Sequence, residues 1–124
     1  MREKLHWVLL NYPPMADNMI AVEFIETPTF TRMITALLTD DEYWGLQNVL
    51  MEDPDRGEII QGGGGIRKLR YAVQGRGKSG GIRVIYYWIK DNKQIYMLVA
   101  YPKSKKDDLT DKETAALRKY VKEL

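Results

Sequence analysis

Lys68 and Arg70 stand two apart in the run 66–73, and Arg83 stands inside the otherwise apolar run Ile82-Arg83-Val84-Ile85-Tyr86-Tyr87. Side chains alternate across a strand, so Lys68 and Arg70 share one face while Arg67, Leu69, Tyr71 and Val73 share the other. A charge within an apolar strand is expensive unless it is paired or meets water on an open sheet face. Arg83 therefore has two readings. In the first it pairs with a carboxylate from the acidic N-terminal half. In the second, Lys68, Arg70 and Arg83 line one concave sheet surface, completed by Lys103 and Lys105 from the loop after the last strand. Such a hollow could grip a phosphodiester.

The charge pattern supports a polyanionic partner. Residues 61–106 hold eleven lysines and arginines against a single acid, Asp91, a formal +10. Residues 1–60 carry four bases and eleven acids, and 107–124 four bases and five acids, so the listless total of +2 conceals a concentrated cationic block. Nucleic acid is the commonest ligand for such a field. Arg67, Arg76, Lys78, Lys105 and Lys106 extend the block beyond the strand cations. Tyr71, Tyr86, Tyr87, Trp88, Tyr96 and Tyr101 are interleaved with it. Most are expected in the core; Tyr101, at a strand end beside Pro102, is the candidate for stacking on an unpaired base.

Other chemistries fit poorly. Gly75-Arg76-Gly77-Lys78-Ser79-Gly80 matches G-x-G-x-x-G, but that fingerprint needs a helix N-terminus facing the phosphate, and here a strand follows. A flexible basic hairpin loop, able to follow a phosphate backbone, is the better reading. The single histidine, His6, and the two serines, Ser79 and Ser104, build no Ser-His-Asp set. Asp40-Asp41-Glu42 and Asp107-Asp108 read as helix-start carboxylates that complement the macrodipole, not as metal ligands. With no cysteine, disulfides and thiolate metal sites are excluded and a reducing cytoplasm is compatible. No apolar run approaches the ~20 residues of a membrane-spanning helix.

These side chains need elements to position them. Residues 20–26 are β-branched and apolar and read as a strand. Thr27-Pro28 supplies an N-cap and a first helical proline, and Phe30, Met33, Ile34, Leu37 and Leu38 recur at helical spacing, predicting a helix over about 28–38. Thr39 to Glu42 is a capping box opening a second helix that Pro54 ends. Gly62 to Gly65 reads as a flexible hinge. Beyond it lie three strand-like runs, 66–73, 82–89 and 94–101, the last two joined by a tight hairpin at Asp91-Asn92-Lys93. Thr110 to Glu113 is a second capping box, starting a final helix with Leu117, Tyr120, Val121 and Leu124 on one face. The order β-α-α-β-β-β-α predicts a small α+β domain: an antiparallel sheet, an N-terminal helical hairpin and a C-terminal helix.

Gly64-Gly65-Ile66-Arg67-Lys68-Leu69-Arg70, the run from Gly75 through Tyr87, and Tyr101-Pro102-Lys103-Ser104-Lys105-Lys106-Asp107-Asp108-Leu109-Thr110 together resemble the RelE superfamily of bacterial toxins, especially its HigB-like branch, across about residues 20–124. The resemblance implies a type II toxin–antitoxin system and a ribosome-dependent endoribonuclease that cuts mRNA in the ribosomal A site. It also implies a neutralising antitoxin, often a helix-turn-helix protein, through which alone DNA would be touched. The RNA's own 2′-hydroxyl attacks in such enzymes, so neither an enzyme nucleophile nor a metal or other cofactor is required. Carried over by position, Lys68, Arg70 and Arg83 would bind the scissile phosphate and Lys103 would assist. Some relatives carry a further base where this chain has Ile66, an arginine at Ser104 and a catalytic tyrosine near Thr110; Tyr101, Lys105, Lys106 or the ribosome would then fill the gap. A gyrase-poisoning toxin and a non-catalytic RNA- or ribosome-binding module are the alternatives on the same fold.

The N-terminus stands apart. Arg2 and Lys4 precede a short apolar run, 5–10, and Pro13-Pro14 breaks the chain. Residues 1–18 are expected to be a poorly ordered extension, with Met15 or Met19 as the biological start and residues 19–124 as the toxin domain.

Overall fold

Each helix begins where its capping chemistry dictates. The computed structural model describes residues 4–11, 19–77 and 80–124. Its elements run β1 (Lys4–Asn11), β2 (Met19–Glu26), α1 (Pro28–Leu37), α2 (Asp40–Glu52), β3 (Glu58–Ile59), β4 (Arg67–Tyr71), β5 (Ile82–Ile89), β6 (Gln94–Pro102) and α3 (Asp111–Lys122). Thr27 Oγ1 accepts the Phe30 N–H at 3.0 Å and donates to Leu98 O at 2.7 Å, capping α1 and tying it to the sheet. Thr39 and Thr110 form capping boxes with Glu42 and Glu113 at the starts of α2 and α3. Such caps are each worth about 1 kcal/mol.

The expected α+β class, helical hairpin and C-terminal helix are all present. The sheet has the order β1-β2-β6-β5-β4-β3. Its pairs are antiparallel except β2 with β6, which run parallel and bring the first predicted strand beside the last. Two strands go beyond the sequence reading. One is the two-residue β3 at an edge. The other is β1, within the stretch expected to be disordered: its eight residues pair antiparallel with β2 from Lys4↔Glu26 to Asn11↔Met19. An apolar run too short for a membrane is the right length for an edge strand. Residues 1–3 and 12–18 lie outside the described residues.

The two sheet faces are covered by different helices. Val22, Phe24, Leu69, Val84, Tyr86, Ile95 and Met97 pack under the α1–α2 hairpin, with Phe30, Ile34, Leu46 and Leu50. Ile85, Leu98 and Tyr101 face the other way, toward Val121, Leu117 and Tyr120 of α3. The β5–β6 register slips between Ile85 and Tyr86, so Leu98 and Val99 both turn toward α3. Two buried polar groups fix the hairpin. Tyr86 Oη accepts from Gly57 N–H at 2.9 Å and donates to Pro54 O at 2.7 Å. Glu26, only 1% exposed, accepts from Thr31 Oγ1 and Tyr43 Oη, each at 2.6 Å. Burial, and then the Glu26 charge, push the Tyr43 phenol far up, so it stays a donor.

The glycine run is a packed turn, not a hinge. Gly62, Gly64 and Gly65 have φ of 77°, 73° and 109°. A Cβ on Gly65 would lie 2.9 Å from Tyr87 Cε1. Gly65→Ala is therefore expected to cost about 1–3 kcal/mol, read as a lower urea midpoint with an unchanged denaturant slope.

Candidate active site

The β4–β5 ladder places Lys68 opposite Ile85 and Arg70 opposite Arg83, and the β5–β6 ladder places Arg83 opposite Tyr101. With the two-residue alternation of strands, Lys68, Arg70 and Arg83 emerge on the face away from the helical hairpin. Two guanidinium stems facing each other across strands repel and need counter-charge or water. Counter-charge is present for each cation. Arg83 Nε and Nη2 both lie 3.0 Å from Asp107 Oδ1. Lys68 Nζ pairs with the Asp108 carboxylate and lies 3.4 Å from Asp107 O. Arg70 Nη1 pairs with Glu58, which sits opposite Lys68 on β3. The acid that meets Arg83 thus comes from the segment before α3, not from the N-terminal half.

An open recess of about 260 Å³ lies beside this row, bordered by Arg70, Arg83 and Lys103 with Gly77 and Gly81. Lys103 is set there by its backbone, whose N–H donates to Gly81 O at 3.0 Å. Three of the four cations assigned to phosphate contact, Arg70, Arg83 and Lys103, therefore gather at one end of β4, β5 and β6, and Lys68 stands two residues back from Arg70 on the same face. Lys105 is exposed on the same turn.

The remaining cations do different work. Arg67 points to the hairpin face, where its guanidinium contacts Asp55 and donates to Gly57 O at 2.8 Å. Arg76 reaches across to Leu37 O and the Glu42 carboxylate, each at 2.7 Å, tying the glycine loop to the α1–α2 junction. Lys106 is engaged by both Glu113 oxygens at 2.7 Å and covers the Tyr101 ring at 5.0 Å. Lys78 lies outside the described residues.

Tyr101 is not a stacking platform. It is 3% exposed, and its hydroxyl donates to Asp107 O at 3.1 Å, so it supports the segment that carries the acids. Burial first, then Asp108 and Asp107, push its phenol up to about 12. A proton held more tightly in the folded state stabilises below the ordinary value of 10.0 and is lost as pH rises through about 12. Wild type is expected to lose melting temperature relative to Tyr101→Phe across that window, and parallel curves would refute the assignment.

Asp107 and Asp108 are the residues that sequence reasoning misplaced. They are not the helix-start carboxylates of α3; Asp111 and Glu113 fill that role. Hydrogen bonding from Arg83 holds the Asp107 carboxyl below its usual range. The available signal was two acids directly after Lys103, Lys105 and Lys106 but before the capping threonine.

Fold and charge define a small basic α+β domain that gathers lysine and arginine on the sheet face away from the helical hairpin. Over residues 30–124 the chain matches the family described as RelE toxin of the RelE/RelB toxin–antitoxin system. It belongs to that family and is a toxin whose partner is an antitoxin. Among the described residues, no helix is long and apolar enough to cross a membrane.

Proposed function

We propose that this chain is a ribosome-dependent endoribonuclease of the HigB-like branch, cleaving mRNA in the cytoplasm until a helix-turn-helix antitoxin neutralises it. Residues 19–124 form the toxin domain. The carrying observation is the gathering of Arg70, Arg83 and Lys103 around one open recess, with Lys68 two residues from Arg70 on the same face of β4. In this reading the 2′-hydroxyl of the RNA attacks the adjacent phosphorus, the bond from phosphorus to the 5′-oxygen breaks, and the proton passes from the attacking to the leaving oxygen. The protein orients the phosphodiester and neutralises the charge that grows on its oxygens, work that lysine and arginine do without a metal. Tyr101, buried and holding its proton, supports the site rather than accepting the 2′-hydroxyl proton.

The test is translation in vitro with purified protein, with cleavage mapped by primer extension. New 5′ ends on translated mRNA, absent when ribosomes are withheld, are the expected result. Salt-sensitive RNA binding without cleavage would replace the proposal with a non-catalytic binding module. A DNA-damage response without mRNA cleavage would point to gyrase.

A further inference from the structure

Two cations of the site, Lys68 and Arg83, lie beneath the acids that pair with them, while Arg70 and Lys103 are exposed. The side chains of Lys68 and Arg83 are each 8% exposed, whereas those of Asp107 and Asp108 are 58% and 76% exposed. A phosphate arriving from solvent meets carboxylates first. The backbone beneath these acids is fastened by the Tyr101 hydroxyl on Asp107 O and by the Thr110–Glu113 capping box just beyond. The parts able to move aside are therefore the two carboxylate side chains, each a rotation away from water. A carboxylate presents two oxygens to a cation as a phosphate does, and it binds lysine and arginine by the same charge-assisted hydrogen bonds.

We propose that Asp107 and Asp108 are a resident anionic cover that occupies the phosphate seat on Lys68 and Arg83 and is exchanged for substrate phosphate, setting the site's selectivity against free RNA. This rests on the phosphate-binding reading of the same cations. Exchange replaces two ion pairs with two others and gains little by itself. It becomes favourable when the incoming chain also engages Lys103 and the exposed Arg70, whose Glu58 partner stands in water, at the neighbouring recess, and when it is presented at high local concentration, as on a docked ribosome. Free single-stranded RNA has the first advantage but not the second, so it binds weakly.

The experiment compares the full-length wild type with D107N/D108N, using fluorescence anisotropy of a labelled single-stranded RNA at several salt concentrations. Asparagine keeps the shape and removes the charge. D111N, in the first turn of α3, controls for a general change in net charge. The double variant is expected to bind about tenfold tighter at moderate salt, with a log–log salt slope steeper by about 1.4, the increment for two freed cations on a single strand. D111N should change affinity by less than about twofold. Equal affinities for the double variant and D111N would overturn the cover, as would weaker binding by a double variant with an unchanged melting curve. If the double variant does not fold, D108N alone reads the same effect at about half the change in slope. The anisotropy measurement requires no cleavage. Tighter binding in a protein that cuts nothing on ribosomes would uphold the cover and reject the nuclease, and cleavage with unchanged affinity would do the reverse.

Discussion

Replacing Arg83 by alanine is expected to slow mRNA cleavage on translating ribosomes by about a hundredfold or more, the usual effect of deleting one fixed donor aimed at transition-state charge. Arg83 sits on β5, which pairs with β4 on one side and β6 on the other, so its stem cannot drift. Arg83 borders the recess together with Arg70 and Lys103. The substitution does not strand a buried charge, because Asp107 is more than half exposed and water takes over its solvation. Arg83→Met separates charge from packing: the buried stem is retained and the donors are lost. Both variants should melt within a few degrees of wild type yet cleave poorly. Arg83→Lys should recover only part of the rate, because a point charge cannot span both Asp107 and the recess as a planar fork does. Cleavage by Arg83→Met at the wild-type rate, with ribosomes saturating, would remove Arg83 from the site.

The placing of the candidate site's side chains was legible where strand alternation alone decides the answer. Two-residue spacing put Lys68 and Arg70 on one face, and an arginine in an apolar strand demanded a reason. Alternation also put Arg67 on the opposite face, where it holds the loop after α2. The partners were not legible. Which carboxylate reaches Arg83 depends on how the segment before α3 crosses the sheet, and no local pattern encodes that crossing. Arg76 shows the same limit: a basic residue in a glycine loop suggests a free phosphate contact, yet the loop folds back and its guanidinium closes on Leu37 O and Glu42. Tyr101 likewise suggested a stacking ring, but its strand partner is Arg83, which turns it under α3.

Helix starts were the most legible part of the fold because their signals are local: threonine three residues before glutamate, and proline after a capping threonine. The glycine run failed as a hinge because glycine signals two opposite things, freedom and close approach. Only the position of Tyr87 reveals which applies at Gly65. The parallel pairing of β2 with β6 could not be read from either strand, since it is settled by the α1–α2 hairpin returning across the sheet.

That hairpin gives the largest expected effect on stability. Phe30→Ala should cost about 3–5 kcal/mol, a large share of the ~5–15 kcal/mol that holds such a domain together. The ring is fully buried, packs 5.9 Å from the Tyr43 ring centroid, and belongs to the cluster joining α1 and α2 to β2, β5 and β6. Its own N–H carries the Thr27 cap, which alanine preserves, so the loss isolates side-chain packing. A fall in Tm of roughly ten degrees or more is expected. Phe30→Leu, which refills most of the space, should lose far less, and a fall of under about 3 degrees for alanine would show that the ring is not a core element. Phe30 lies on the face opposite Lys68, Arg70 and Arg83. Protein that remains folded at low temperature should therefore cleave at the wild-type rate per folded molecule, whereas Arg83→Met should keep the melting curve and lose the chemistry. A variant pair behaving in the opposite way would mean that the site sits on the hairpin face of the sheet.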